Sequence, residues 1–204
     1  MTLQNPVNDR VARQQAAVAA WTRQAELLAA LVDAETTSRE ERMDAQRRLE
    51  ALRRTQEALE TRAARHTDPG DGVRPDDHPR AVLVHRNAWL RDKLTLQLAE
   101  LGVQVLAEAE DGAEGLGIAI AEQPDVVLLE DRLPSLPAVE LVAGLREYVP
   151  GALVAVHVEH QEDVPELVEA GTAAVFSRRV PPAVMADELA ALLENPRDEP
   201  LLLS

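Results

Sequence analysis

The sequence predicts an α/β fold with a doubly wound parallel sheet, preceded by a long helical hairpin or coiled coil. Residues 8–66 contain no glycine or proline and are rich in strong helix formers. Residues 67–79 then bring together three prolines, two glycines and four aspartates, which is typical of a linker. Beyond them, short apolar runs alternate five times with amphipathic segments, as expected for a sheet covered by helices on both faces.

The first segment carries apolar residues at a seven-residue spacing, which is typical of a coiled-coil seam. The spacing changes phase near Ser38, which forms a capping-box pattern with Glu41. We therefore expect two helices, about 8–35 and 39–65, with one long interrupted helix as the alternative. The predicted seam consists of Val11, Val18, Trp21, Leu28, Val32, Leu49, Leu52 and Leu59. It serves either coiled-coil dimerisation or packing of a hairpin on the globular domain.

The second part predicts five strands, each followed by a helix. The apolar runs are 81–84, 103–110, 125–130, 152–158 and 173–178. The run "DVVLLE" is continuous, as in a parallel strand that is buried on both faces. This order predicts a flavodoxin-like, five-stranded sheet. The predicted organisation is a helical arm at 8–66, a linker at 67–79, the α/β domain at 80–195 and a flexible tail at 196–204.

Composition excludes several classes of function. The formal net charge is −15; residues 1–66 carry 11 Lys and Arg against 10 Asp and Glu, and the rest of the chain carries 10 against 26, a net of −16. Binding of nucleic acid by the acidic α/β domain is therefore disfavoured, although the arm leaves that option open. The chain has no cysteine, so disulfide and thiolate chemistry are excluded. No apolar run is long enough to span a bilayer, and no secretory signal is evident, so we expect a cytoplasmic protein.

Polar residues cluster where the predicted strands end. In a doubly wound sheet, the functional crevice lies at the carboxyl ends of the strands. The candidate residues there are His85, Arg86, Glu130, Asp131, His157 and Arg178. The sequence has no glycine-rich phosphate loop after the first strand and no G-x-S-x-G elbow, so we expect no enzyme, no catalytic residue and no cofactor.

Residues 80–193 resemble the response-regulator receiver domain, the phosphoacceptor module of two-component signalling. The resemblance runs through "RAVLVHRNAWLRDKL", "PDVVLLEDRLP" and "LVEAGTAAVFSR", with no gaps in spacing. The family's "PDLVLLDxxMP" pattern is similar to the second of these segments. The resemblance implies a flavodoxin-like fold and a site built from two cation-binding acids, an acceptor aspartate, a Thr or Ser, and a lysine followed by proline.

This sequence departs from that pattern at every functional position. In family order, the residues that stand there are His85 and Arg86, Glu130, His157, Arg178 and Arg179, and Ser135 replaces a loop glycine. Losing both acids removes the oxygen ligands that hold Mg²⁺, and phosphoryl transfer depends on that cation. The sequence therefore predicts a pseudo-receiver that acts through a protein partner, with a homodimer formed by the helical arm.

Four alternatives remain open from the sequence. Glu130 supplies either a fixed negative charge or a structural salt bridge with Arg178 or Arg86. Asp131 is a candidate substitute phosphoacceptor in an atypical phospho-switch. His85, His157 and Glu130 together could bind a transition metal, although we expect no metal because the nearby arginines would repel it. The helical arm could bind RNA, as in antiterminators that join a pseudo-receiver to a coiled coil.

Overall fold

The protein begins with a helical hairpin. The computed structural model describes residues 6–34, 37–65 and 78–203, and the side chains of these except residues 6–11, 13 and 63–65. Two neighbouring helices, α1 (Pro6–Asp33) and α2 (Arg39–Arg65), pack against each other as a hairpin. The hairpin prediction is therefore correct and the single long helix is wrong. The predicted linker lies outside the described residues except for its last two positions, and so does the side chain of Val11.

A capping box starts the second helix, as the sequence predicted. The Ser38 N–H donates to Glu41 Oε2 at 3.0 Å, and the Glu41 N–H donates to Ser38 Oγ at 3.3 Å. These reciprocal bonds satisfy backbone donors that the first turn of a helix leaves unpaired. These bonds mark the start of α2 as a helix separate from α1.

Residues 78–203 form a parallel sheet between two layers of helices. The strands are β1 (Arg80–Val84), β2 (Gln104–Ala109), β3 (Val126–Glu130), β4 (Leu153–Val158), β5 (Ala174–Ser177) and β6 (Leu201–Leu203). The helices are α3 (Ala88–Glu100), α4 (Gly112–Glu122), α5 (Ala138–Tyr148), α6 (Val164–Ala170) and α7 (Pro182–Glu194). The sheet order is β2-β1-β3-β4-β5-β6, and every neighbouring pair is parallel. The predicted doubly wound α/β fold is confirmed.

The sheet has six strands and not five, so the prediction of a flexible tail over 196–204 is wrong. Leu201–Leu203 pairs with β5 and extends the sheet by one short strand. Burial explains this, because Leu201 and Leu203 pack against the hydrophobic cluster between the sheet, α3 and α7. Their alternation with an exposed Leu202 is the strand period of two.

The hairpin packs closely on the sheet domain, and α4 is built to receive it. Every residue of α4 except Glu114 is buried, since one side faces β1 and the other faces α2. A Cβ atom added at Gly117 would lie 2.2 Å from the Thr55 carbonyl oxygen and 2.8 Å from the Ala58 Cβ. Only glycine allows the two helices to approach this closely.

The seam residues whose side chains are described are buried or half-buried within the chain. Trp21 and Leu59 belong to the core cluster of the sheet domain, and the Trp21 ring lies edge-on to the Tyr148 ring at 5.6 Å. Leu28 and Leu49 pack between the two helices near the far end of the hairpin. Val18, Val32 and Leu52 are half-buried beside them. The structure thus shows seam residues packing within the hairpin and against the globular domain, whereas the coiled-coil dimer stays a prediction.

Polar contacts also fix the hairpin on the domain. The Gln14 side-chain amide donates to the carbonyls of Ile120 and Ala121 at the end of α4, and Arg62 lies 3.6 Å from the Glu122 carboxylate. The Gln14 side chain therefore fixes α1 to the last turn of α4. In the described parts of the chain, no helix is long and apolar enough to cross a membrane.

Candidate functional site

The six predicted site residues lie at the carboxyl ends of the strands, on one end of the sheet, as expected for strands that run in parallel. β1 lies beside β3, and β3 lies beside β4 with Glu130 directly opposite His157. His85 follows the end of β1 and is buried, with 5% of its surface exposed. The register of three strands therefore brings together residues that are up to 72 positions apart.

Glu130 is held by Arg86. Arg86 Nη2 donates to Oε1 at 2.7 Å, and its Nε donates to Oε2 at 3.1 Å, which is the paired geometry typical of arginine and carboxylate. The Arg86 backbone N–H adds a third bond to Oε2 at 3.0 Å. Burial alone would raise the pKa of Glu130, but these hydrogen bonds lower it below its usual value. Glu130 is therefore ionised, and both of its carboxylate oxygens already accept hydrogen bonds from Arg86.

Two histidines lie next to this pair and are bonded to each other; His85 is buried and His157 is half-buried. The Asn87 N–H donates to His85 Nδ1 at 3.0 Å, so the proton of a neutral His85 ring is on Nε2. His85 Nε2 lies 3.0 Å from His157 Nδ1 and donates to it. Burial lowers the pKa of His85 to about 4 and also lowers the pKa of His157. Both rings are thus neutral at pH 7.

Arg178 does not reach Glu130. Its guanidinium lies 3.4 Å from the Glu159 carboxylate, and both side chains are largely exposed. Of the two arginine partners that the sequence left open for Glu130, the structure selects Arg86. The reason is that Arg86 follows the neighbouring strand β1, whereas Arg178 follows β5, which is separated from β3 by β4.

Asp131 turns away from Glu130 and closes a neighbouring loop. Its Oδ2 accepts the Glu159 N–H at 2.8 Å, and its own N–H donates to the His157 carbonyl at 3.0 Å. Successive side chains point to opposite sides of an extended strand, which explains the different direction. Asp131 is therefore hydrogen-bonded to the backbone at the end of β4, and it lies close enough to His157 and Arg86 for its charge to act on both.

Sequence reasoning missed Arg91, which fixes the backbone of the site. This arginine is 9% exposed, and its guanidinium donates to the backbone carbonyls of His85 and Arg86. It also binds Glu108 at 2.9 Å and Glu110 at 2.7 Å. A sequence signal was present, because Arg91 lies beside Leu90 on the helix face that the spacing of Leu94 and Leu98 predicts to be buried.

A second missed group connects the hairpin to the loop after β3. Arg54 Nη1 donates to Ser135 Oγ at 2.8 Å and to Asp111 Oδ2 at 3.0 Å. The Ser135 hydroxyl also donates to Asp111, which caps α4 by accepting the N–H groups of Ala113 and Glu114. Ser135 has a φ of +64°, the left-handed conformation that favours glycine, which fits the glycine of the receiver pattern.

No set of three potential ligands suited to a metal ion exists among the described residues. His85 and His157 direct their facing nitrogens at each other, and the Glu130 carboxylate lies on the opposite side of His85, 3.6 Å from Nδ1. The arginines of α2 also have acidic neighbours, since Arg47 and Arg48 contact Asp44 and Arg54 contacts Glu50. The histidines of the crevice and the arginines of α2 therefore both have partners within the chain.

Known proteins with the same fold include several response regulators. Response regulator GacA of Pseudomonas viridiflava is 31% identical over 102 residues, which is 48% of each chain. The probable transcriptional regulatory protein NarL of Mycobacterium tuberculosis is 35% identical over 74 residues, 36% of this chain and 30% of that one. The solved signal receiver domain of that NarL has a TM-score of 0.55 and 22% identity, covering 59% of this chain and 99% of that chain.

These neighbours point to the response-regulator receiver domain. The receiver-like part is the sheet domain from β1 onward. No family model matches the chain. This chain spans about half, or less, of the length of these two curated relatives.

Proposed function

We propose that this chain is a non-catalytic signalling protein whose receiver-like domain is not phosphorylated by the usual aspartate and magnesium mechanism. The observation that carries the proposal is the paired contact of Arg86 with Glu130, at 2.7 and 3.1 Å. A guanidinium lies where the receiver pattern has a cation-binding acid. A carboxylate that is already bound by the Arg86 guanidinium is a poor nucleophile for a phosphoryl group.

The electrostatics of the site support the same conclusion. Mg²⁺ binds through several oxygen ligands, and the position after β1 offers a neutral imidazole and a positive guanidinium instead. Phosphoryl transfer needs a metal to neutralise the charge that develops on the transferred group. Glu130 with Arg86 instead gives a fixed, internally balanced charge pair. The state of this domain is therefore set by binding and not by phosphorylation.

Under this proposal, the chain acts by presenting surfaces to a protein partner. The faces of α6 and α7 that point to solvent are acidic and moderately apolar. α7 lies on the side of the sheet away from the hairpin, whereas α6 lies on the same side as the hairpin. A homodimer through the helical arm is a separate part of the proposal. Since the seam is buried within the chain, such a dimer would have to use exposed apolar residues of the arm, such as Leu27 and Leu31, which are 69% and 50% exposed.

The test is the intact mass of the protein after incubation with acetyl phosphate and Mg²⁺. We expect no phosphoryl adduct on the wild-type chain, while a conventional receiver treated in parallel gains one. A matched variant, His85→Asp with Arg86→Asp and Glu130→Asp, restores the acids of the receiver pattern and should gain an adduct if it folds. A wild-type adduct that Asp131→Asn abolishes would overturn the proposal and make Asp131 the acceptor.

A further inference from the structure

The Glu130 carboxylate has a second potential partner within reach besides Arg86. Its Oε2 atom lies 3.6 Å from His85 Nδ1, just beyond the length of a hydrogen bond. In the neutral ring this nitrogen carries no proton and accepts the Asn87 N–H at 3.0 Å. A proton added to Nδ1 turns it into a donor that faces a carboxylate. Arg86 and protonated His85 are therefore alternative partners of the same oxygen atom, since Arg86 Nε also donates to Oε2.

His85 Nδ1 is the ring nitrogen at which the histidine pair can take up a proton without losing the bond between the rings. His85 Nε2 already donates to His157 Nδ1 at 3.0 Å, so a neutral His157 carries its own proton on Nε2. The displaced donor, the Asn87 N–H, belongs to an exposed residue, so water can accept from it instead. The cap of α3 does not use this N–H, because Asn87 binds the Leu90 N–H through its side-chain oxygen.

Charged groups on the neighbouring elements act on the two rings in opposite directions. Burial lowers the pKa of both rings, and the surrounding charges modify that shift. The charged groups that face the rings are Glu130 at the end of β3, Asp131 after it, Arg86 after β1 and Arg91 in α3. The carboxylates favour a protonated ring and the guanidiniums oppose it. Withdrawal of one guanidinium therefore promotes uptake of a proton.

Of these two guanidiniums, that of Arg86 is the one free to leave. Its side chain is 50% exposed, whereas that of its partner Glu130 is 14% exposed. The Arg91 side chain is 11% exposed and binds Glu108 and Glu110, so it stays in place. Release of Arg86 into solvent consequently leaves the rest of the crevice intact.

We propose that the crevice is an acid-responsive switch: His85 takes up one proton at Nδ1, Glu130 exchanges Arg86 for His85, and the Arg86 guanidinium moves into solvent. No covalent bond changes, and the total charge of the group rises by one. Arg86 precedes α3, and Trp89 in the first turn of that helix is 59% exposed. Acidification therefore alters the surface at the start of α3 by moving a cation out of a balanced pair. This inference goes beyond the proposed function and does not depend on it.

The experiment is a titration of the full, ¹⁵N-labelled chain from pH 7.5 to 4.0, in which NMR follows the ring nitrogens of His85 and the Nε–H of Arg86. We expect the His85 Nδ1 signal to move to the position of a protonated nitrogen with a pKa of about 4. The Arg86 Nε–H signal should move with the same midpoint, because the guanidinium leaves as the ring is protonated. Circular dichroism at each pH reports whether the chain is folded.

Two substitutions separate this exchange from a passive titration of the ring. Arg86→Gln removes the competing cation and should raise the pKa of His85 by about one pH unit, whereas Glu130→Gln removes the carboxylate and should lower it by about one pH unit. His160→Gln is the matched control, since it changes an exposed histidine and should leave the pKa of His85 unchanged. If Arg86→Gln does not fold, Arg86→Lys, which cannot pair with both carboxylate oxygens, should raise the same pKa by a smaller amount.

The switch is refuted if the Arg86 Nε–H signal stays in place while His85 takes up its proton. It is also refuted if the substitutions at Arg86 and Glu130 move the pKa of His85 in the same direction, or if His85 takes up no proton before the chain unfolds.

Discussion

At the scale of single residues, the site is a set of charges and rings that satisfy one another. Arg86 neutralises Glu130, His85 donates to His157, and Arg91 binds the backbone on which both His85 and Arg86 lie. Each of these groups is desolvated to some degree, and each has a partner that compensates for the lost water. The same contacts make the site sensitive to protonation, because a second proton on either ring has no acceptor within the histidine pair.

The histidine pair predicts a loss of stability in mild acid. Burial lowers the pKa of His85 to about 4 and the pKa of His157 in the same direction, so the unfolded chain binds more protons than the folded chain below pH 6.5. The free energy of unfolding should therefore fall as the pH drops from about 6.5 to about 4, by on the order of 1–2 kcal/mol. Below pH 4.5, protonation of Glu130 adds to the loss in the same direction.

Urea titrations at pH 7.5, 6.0 and 5.0 measure this dependence. His157→Gln should flatten the slope between pH 6.5 and 4.5, because one of the two coupled rings no longer titrates. His160→Gln is the matched control, since it removes an exposed histidine of the next connection and should leave the wild-type slope unchanged. A wild-type stability that is constant from pH 7.5 to 5.0 would contradict the assignment of a neutral, partly desolvated pair.

At the scale of elements, the close approach of α2 to α4 decides where the hairpin lies. Gly117 allows backbone contact between the two helices, and Gln14 and Arg62 add polar contacts at the end of α4. Arg54 then extends the interface to Ser135 in the loop after β3. The hairpin therefore contacts the loop that follows Glu130 as well as the helix beneath it.

Substitution of Gly117 tests this interface. Gly117→Ala places a Cβ 2.2 Å from a backbone oxygen of α2, so the helices must separate. The expected loss is about 1–3 kcal/mol of overpacking, offset by up to about 1 kcal/mol from the better helix propensity of alanine. In a Trp89→Phe background, Trp21 is the single tryptophan, and its emission should shift to the red as it leaves Tyr148.

Gly151→Ala is the control for this substitution, because nothing lies within 4 Å of a Cβ added at that glycine. Its urea midpoint and Trp21 emission should match those of the background protein. If Gly117→Ala behaved like Gly151→Ala in both measurements, the close contact between α2 and α4 would be wrong.

At the scale of the whole molecule, two additions surround a receiver-like domain. The hairpin covers one face of the sheet domain and buries a seam that, on sequence alone, suits a coiled-coil dimer. The C-terminal segment covers the β5 edge. Both additions bury apolar surface that would otherwise be exposed on an acidic domain. The chain is accordingly one packed unit over the residues described, and its free surfaces are those that neither addition reaches.

The intramolecular seam predicts how stability and mass respond to mutation. Leu49 is 9% exposed and packs between α1 and α2, so Leu49→Ala should lower the free energy of unfolding by about 2–3 kcal/mol. The mass in sedimentation velocity should not change, since the side chain has no role between copies. Met43→Ala, at a residue that is 55% exposed, should change stability by less than about 0.5 kcal/mol. A mass that falls with Leu49→Ala would show that the seam joins two chains.

The sequence by itself determined the order of the sheet-domain helices and of the first five strands, and the residues of the crevice; it favoured two helices over one in the arm. Those predictions depend on periodicity, on local capping such as Ser38 with Glu41, and on the rule that parallel strands place their ends together. Each of these signals is local in the chain, so one sequence contains it. The departures from the receiver pattern were equally visible, because they are identities at fixed spacings.

Only the tertiary structure decided which partners these groups have. Arg86 and not Arg178 binds Glu130 because β1 lies next to β3, and Leu201–Leu203 becomes a strand because the β5 edge and a hydrophobic cluster are there to receive it. Trp21 and Leu59 of the seam pack into the core of the sheet domain, where a glycine at position 117 lets α2 approach α4 closely. Which partner each group has depends on the relative free energies of alternative long-range contacts. A local sequence pattern contains no information about those alternative contacts.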